Sequence, residues 1–281
     1  MKRASLGASQ KGVWPGASLL RLGAAAALAA TLGGCMASTQ QEVQMGQQYA
    51  AQINQQLPLV RDPEVVRYIN VLGDSIAKLA DDRGLDWQFH VVNSPEVNAF
   101  AVPGGFIYVN RGLIERADNL SQLAGVLAHE IAHVTERHSA EQMRDAERAN
   151  FGAVLLCTLT SACQSQAAST AIQLGGSAAF AKFSRDDESE ADRVGIRFVV
   201  RAGISPNGIP QMFEKLLAER NRSPGAVDAW FSTHPMEESR INATRAQIQQ
   251  IDPAILRTLT VDTPSFQQFK RRVASLPAAS R

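Results

Sequence analysis

Residues 119–138 read NLSQLAGVLAHEIAHVTERH, and the period of this stretch decides the fold. At 100° per residue, Leu120, Leu123, Leu127, Ile131 and Val134 fall in one stripe, which predicts a helix from a cap at Asp118 or Asn119 to about His138. His129 and His133 fall nearly opposite that stripe, where histidines merely packed in a core would not lie. Four residues apart on a helix, two imidazoles can grip one Zn²⁺. The intervening Glu130 is turned off their axis, able to reach water at the metal but not easily the metal itself. That arrangement suits peptide hydrolysis: the metal polarises water and carbonyl together, while the carboxylate takes the water's proton and passes it to the leaving amine.

Such a centre needs a third protein ligand and an open fourth position. The run Asp186 to Gly195 offers Glu188, Glu190 and Asp192. On a helix Glu188 and Asp192 share a face and Glu190 points away. Glu188 is therefore expected to ligate, and Asp192 to accept a hydrogen bond from the far nitrogen of a ligating imidazole. Read alone, the run would be an exposed acidic helix start; downstream of H-E-x-x-H it reads as part of a site. Of the other histidines, His90 falls in an expected strand and His138 near the helix end, where a cation suits the dipole. Both read as bystanders. His234 precedes Pro235, which forces it towards an extended conformation and makes a loop.

Working outward, Ser38 to about Gln48 reads as a polar, Gln-rich tether, followed by a helix to about Leu57 and another opened by Asp62 and Pro63 and running to Ala80. Trp87, Phe89 and Val91 alternate with Gln88, His90 and Val92, a half-buried strand. Asn98 to Val102 and Phe106 to Asn110 flank Pro103-Gly104-Gly105, which predicts a hairpin. Further helices are expected at 185–202, 206–220 and 235–250. The apolar run Phe151 to Ala162 reads as a core helix hairpin, since it is short for a membrane span. The fold class is α+β, mainly α, with a small sheet.

The chain has 281 residues, 45% hydrophobic and 20% charged, which excludes wholesale disorder and collagen-like or coiled-coil architectures. Its net charge of +1 is unevenly spread: residues 1–34 contain Lys2, Arg3, Lys11 and Arg21 and no acid. The rest has 24 basic against 27 acidic side chains, a formal charge of −3, which argues against nucleic acid as a partner. The basic start, the apolar run Leu22 to Leu32 and the small residues after it form a secretory signal. Leu32-Gly33-Gly34-Cys35 resembles the lipobox of bacterial lipoproteins, which implies cleavage before Cys35 and lipidation of its thiol. Two or three acyl chains would tether the protein without spanning the membrane. Met36, in place of Asp, implies sorting to the outer membrane. The expected organisation is a signal peptide over 1–34, lipidated Cys35 and tether over 35–48, a metallopeptidase domain over 49–252 and a C-terminal extension over 253–281. Cys157 and Cys163 then remain as a close pair, which in an oxidising periplasm reads as a disulfide, two buried thiols being the alternative.

Taken together, His129-Glu130-x-x-His133, Glu188-x-x-Ala191-Asp192, Asn98-Ala99-Phe100-Ala101-x-Pro103-Gly104-Gly105 and His234-Pro235 resemble the gluzincin metallopeptidases, the family that contains the CAAX prenyl endopeptidase, HtpX, BepA and LoiP. The resemblance covers roughly residues 60–250 and is nearest to the lipid-anchored LoiP type. It implies a zincin-like domain holding one Zn²⁺ per chain on His129, His133 and Glu188, with Glu130 as base. Asn98, Ala99 and Phe100 then fall on the strand that can pair with an extended substrate, a structural hairpin being the alternative. His234 falls on a loop that returns over the site, as a latent fourth ligand or as an oxyanion donor. The family also implies quality control of unfolded or misassembled envelope proteins. The rival expectation is a zinc-bound chaperone or assembly factor with little turnover.

Overall fold

The computed structural model describes residues 38–145, 182–222, 225 and 227–278. The signal segment, Cys35, the run 151–162 and the pair Cys157 and Cys163 lie outside the described residues. Helix formation begins earlier than the glutamine-rich composition suggests: α1 spans Thr39–Gln56. Residues 39–48 are therefore not a tether, a correction with a clear cause. Glutamine is a good helix former, and Glu42, Gly46, Ala50 and Ile53 recur at helical spacing on one buried face. Gly46 lets that face close on the hairpin turn, since a β-carbon there would sit 1.8 Å from the Pro103 carbonyl oxygen.

α2, Pro63–Ala80, starts as its sequence predicts: the Asp62 carboxylate accepts from the Glu64 and Val65 N–H groups at 3.1 Å, with Pro63 in the first turn. Strands β1 (Gln88–Val92), β2 (Ala99–Val102) and β3 (Phe106–Asn110) form one sheet in the order β1-β3-β2. β3 is central, parallel to β1 and antiparallel to β2. Gly104 and Gly105, at φ +83° and +102°, make the tight turn. One sheet face, with Phe89, Ala99, Ala101, Ile107 and Val109, joins the main core. The other, with Phe100, Val102, Phe106 and Tyr108, packs with Ala50 and Ile53 of α1.

After the short α3, Arg111–Arg116, helix α4 spans Leu120–Thr135, capped by Asn119, whose side chain accepts from the Gln122 N–H at 3.1 Å. α5 (Arg185–Arg201) opens with a reciprocal Ser184 and Asp187 capping box, and α6 covers Gly208–Arg222. α4 packs on α2, α5, α6 and β2, and is buried at every position from Leu120 to Val134. Its apolar stripe thus separates two interiors, an apolar core and an ionisable cluster, rather than core from water. α7 (Asp228–Thr233) was not anticipated, being only six residues long. α8 (Glu238–Ile248), α9 (Pro253–Leu256) and α10 (Pro264–Ala274) complete the described chain.

The reading of 253–281 as an extension also needs correction. Phe266, Phe269 and Val273 of α10 are buried in the main core, and Phe269 stacks on Tyr68 of α2 at 4.3 Å. The described residues from Thr39 onward form one compact unit, not a 49–252 domain with appendages. No helix among them is long and apolar enough to cross a membrane.

Candidate metal centre

α4, α5 and the segment after α7 bring His129, His133, Glu188 and His234 together, with one ligand-capable atom from each lying within 4.8 Å of all the others. His133 Nε2 is 3.1 Å from His129 Nε2 and 3.4 Å from Glu188 Oε1. His129 Nε2 is 3.4 Å from His234 Nδ1 and 3.6 Å from Glu188 Oε2, and His234 Nδ1 is 2.9 Å from Glu188 Oε1. A tetrahedral ion with bonds of about 2.0–2.1 Å sets its donors roughly 3.3 Å apart. The separations of 2.9 to 3.6 Å straddle that spacing, so these four side chains can hold one metal ion.

Electrostatics set Glu130 apart. It is fully buried, and neither carboxylate oxygen has a hydrogen-bond partner among the described residues; His234 Nε2 approaches Oε1 only to 3.4 Å. Burial pushes its carboxyl above the ordinary range. Burial holds the His133 imidazole well below its usual value, so the ring is neutral and one of its two nitrogens is available as a lone-pair donor. Burial alone would raise Glu188, but the charge of His234 and hydrogen bonds from His133 and His234 outweigh it and keep the carboxylate ionised. The same pairing, chiefly with the charges of Glu188 and Glu130, raises His234 against the pull of burial.

Asp192 lies where its spacing predicts. Its Oδ1 is 3.0 Å from His129 Nδ1, off the line of an ideal hydrogen bond. Glu190 is outside the cluster, as expected. Several site residues escaped the sequence reading. Arg240 of α8 donates to both oxygens of Asp192, at 2.8 and 2.7 Å, to Glu188 Oε2, and to the Pro235 carbonyl at 2.8 Å. It thereby ties the α5 carboxylates to the His234-Pro235 turn. Trp230 stacks on His234 at 4.4 Å, and Phe183 lies flat against His133 at 3.8 Å. His138, read as a bystander, is buried with Nδ1 3.0 Å from His133 Nδ1. The only sequence signal for Arg240 was its place six residues beyond His234; an arginine at a helix start carries no such meaning without its partners.

Asn98, Ala99 and Phe100 fall at the edge strand. Ala99 is enclosed in the main core, so its side chain does not offer a substrate contact, while Phe100 stacks on Tyr108 at 4.8 Å. The Asn98 carbonyl accepts from the Asn110 N–H at 2.9 Å. Its Oδ1 has no partner among the described residues, and the side chain lines a cavity of about 670 Å³ with Pro58, Phe100 and Arg111.

Comparison with known proteins agrees with this geometry. Residues 63–248 match Peptidase family M48. Over 235 residues the chain is 36% identical to the Beta-barrel assembly-enhancing protease of Escherichia coli (strain K12), covering 81% of this chain and 48% of that protein. It is 34% identical over 257 residues to the protein of the same name from Yersinia pestis, covering 89% and 51%. It is 32% identical over 174 residues to the Mitochondrial metalloendopeptidase OMA1 of Schizosaccharomyces pombe, covering 62% and 50%. The chain thus spans about half the length of the curated relatives it matches. With H-E-x-x-H on α4, the matched span running from α2 through α8 and the four donors converging inside it, the chain belongs to peptidase family M48.

Proposed function

We propose that this chain is a zinc-dependent endopeptidase, held by lipid on Cys35 at the periplasmic face of the outer membrane and acting on unfolded or misassembled envelope proteins. One observation carries the catalytic part: a cluster of four metal-capable donors with a fully buried carboxylate beside it, Glu130, whose oxygens accept no hydrogen bond among the described residues. The names of the relatives, proteases associated with β-barrel assembly, support the client class. The lipobox-like Leu32 to Cys35 supports the anchor.

A zinc ion on His129, His133 and Glu188 would polarise the scissile carbonyl and make water acidic enough to attack at neutral pH. The chain's own groups handle the proton. Glu130 accepts no hydrogen bond among the described residues and has a proton affinity raised by burial, so it can take a proton from water and deliver it to the leaving nitrogen. Asp192, fixed by Arg240, faces the far nitrogen of His129 and favours the tautomer that leaves Nε2 bare. His234, held by Trp230, directs Nδ1 into the cluster, and as a fourth donor it would close the position that substrate needs. The resting protein is therefore latent, and substrate entry requires His234 to swing away, where its ring could support the oxyanion.

Glu130→Gln should keep its metal and lose cleavage of casein or of a client peptide. Glu188→Ala should lose much of the metal, and Glu190→Ala should not. Full cleavage by Glu130→Gln would overturn the mechanism. Chelator-insensitive client binding without cleavage by the wild type would favour a chaperone. His234→Ala should raise basal cleavage if latency governs. Cys35→Ser should abolish labelled-palmitate incorporation and release the protein from outer-membrane fractions; unlabelled wild type would refute the anchor.

A further inference from the structure

His138 lies five residues beyond His133. On a continuous helix that places it about 140° round and roughly 7.5 Å along the axis, too far for ring-to-ring contact along the helix. α4 instead ends at Thr135, and Arg137 takes φ +69°, the single positive φ among the described non-glycine residues. A non-glycine residue in this region is costly and points to a conformation imposed by its surroundings. The Glu42 carboxylate of α1 receives Arg137 Nε at 2.6 Å and holds the turn. The result is that His138 folds back, buried, with its Nδ1 3.0 Å from His133 Nδ1.

Proton bookkeeping at this contact is fully determined once His133 offers Nε2 to a metal. Its proton must then sit on Nδ1 and be donated to His138. The Nδ1 of His138 must be bare, and its own proton must lie on Nε2. That nitrogen faces the Glu190 carboxylate at 3.6 Å and the Asp187 carboxylate at 3.9 Å. Glu190, which points away from the metal, thus lies at the outer end of a chain from His133 through His138. Phe183 fixes the tilt of the His133 ring by stacking on it. Stacking alone cannot distinguish the ring from its 180° flip, which would exchange Nε2 for a carbon. A directional acceptor on Nδ1 can.

We propose that His138 is the positioning residue of the metal centre: a neutral imidazole whose bare Nδ1 accepts the His133 Nδ1–H and so fixes the tautomer and the flip state through which His133 binds metal. His129 is oriented by a carboxylate, Asp192; His133 is oriented by a second histidine. The inference rests on the metal reading above, and the test separates the two.

The full-length protein, its His138→Leu variant and its His138→Gln variant, whose amide oxygen can still accept, are titrated with Zn²⁺ against a chromophoric chelator and with Co²⁺ by visible absorption. Acceptors of this kind are worth about 10–100-fold in metal affinity. His138→Leu should lose zinc affinity by that factor with an altered cobalt spectrum, and His138→Gln should recover both to within a few-fold. Equal affinity in wild type and His138→Leu overturns this inference alone, and so does equal loss in both variants, which would mean packing only. A wild type that binds neither ion overturns both readings. If His138→Leu does not fold, ¹⁵N-imidazole spectra of the zinc-loaded wild type decide: His138 protonated at Nε2 supports the assignment, and His138 protonated at Nδ1 overturns it.

Discussion

Two of the buried carboxylates at α4, Glu42 and Glu130, are treated in different ways. Glu42, reaching from α1 to the C-terminal end of the helix, has both oxygens neutralised: Oε2 by Arg83 Nη1 at 2.9 Å and Oε1 by Arg137 Nε at 2.6 Å. Arg83 also donates to the Val134 carbonyl at 2.8 Å, satisfying one of the carbonyls that a helix end leaves open. Glu130, a residue of α4 itself, accepts no hydrogen bond on either oxygen among the described residues. A buried charge costs several kcal/mol unless it is paired. Glu42 is neutralised on both oxygens, whereas Glu130 has only the more distant imidazole of His234 beside it, at 3.4 Å.

The sharpest way to break this contrast is to remove each charge in turn. Glu130→Gln should lower kcat by about 10²–10⁴ or more while leaving the thermal midpoint close to that of the wild type, because Glu130 accepts no hydrogen bond among the described residues and only the His234 contact at 3.4 Å is weakened. A large loss of stability would show that Glu130 is structural after all. Glu42→Ala removes the carboxylate on which Arg83 and Arg137 converge, leaving Arg83 with Asp81 at 3.6 Å, and should destabilise the protein by about 1–3 kcal/mol, measured by urea denaturation. An unchanged midpoint would remove the contrast. Gly46→Ala drives a methyl into the Pro103 carbonyl on the same α1 face and should cost about 1–3 kcal/mol; a neutral result would mean that α1 can lift off the hairpin freely.

The smallest effect is expected at the Arg116–Glu219 pair between α3 and α6, where Nε lies 2.8 and 2.7 Å from the two carboxylate oxygens. The hydrogen bond from Arg116 holds the Glu219 carboxyl below its usual value. A depressed carboxylate contributes stability that is fully present above its unfolded value near ~4.3 and is lost as pH falls through the folded value. The difference in stability between wild type and Glu219→Gln, about 0.2–1 kcal/mol for a partly exposed pair, should therefore be constant at neutral pH and shrink below about pH 4. A difference that grows on acidification would contradict the assignment.

Local chemistry explains which elements could be read in advance. Asp62-Pro63, Asn119 and Ser184 carry their own capping atoms, and the Pro-Gly-Gly turn carries its own φ preference, so α2, α4, α5 and the hairpin were visible without partners. α1 was misread because a polar surface hid a buried face of Glu42, Gly46, Ala50 and Ile53, whose partners are the hairpin and two distant arginines. α7 was too short to show a period.

The sequence by itself marked His129, His133 and Glu188 as candidate donors. Spacing on a helix is rigid, so H-E-x-x-H and Glu188-x-x-x-Asp192 each dictate which side chains share a face. Tertiary structure alone decided what surrounds that set. Arg240 reaches Asp192 across 48 residues, and Phe183 lies flat against His133 from outside α4. His138 is turned onto His133 by the left-handed bend at Arg137, which Glu42 holds from 95 residues earlier in the chain. None of these has a local signature, because an arginine, a phenylalanine or a histidine acquires its role from the groups that packing brings within about 3 to 4 Å of it.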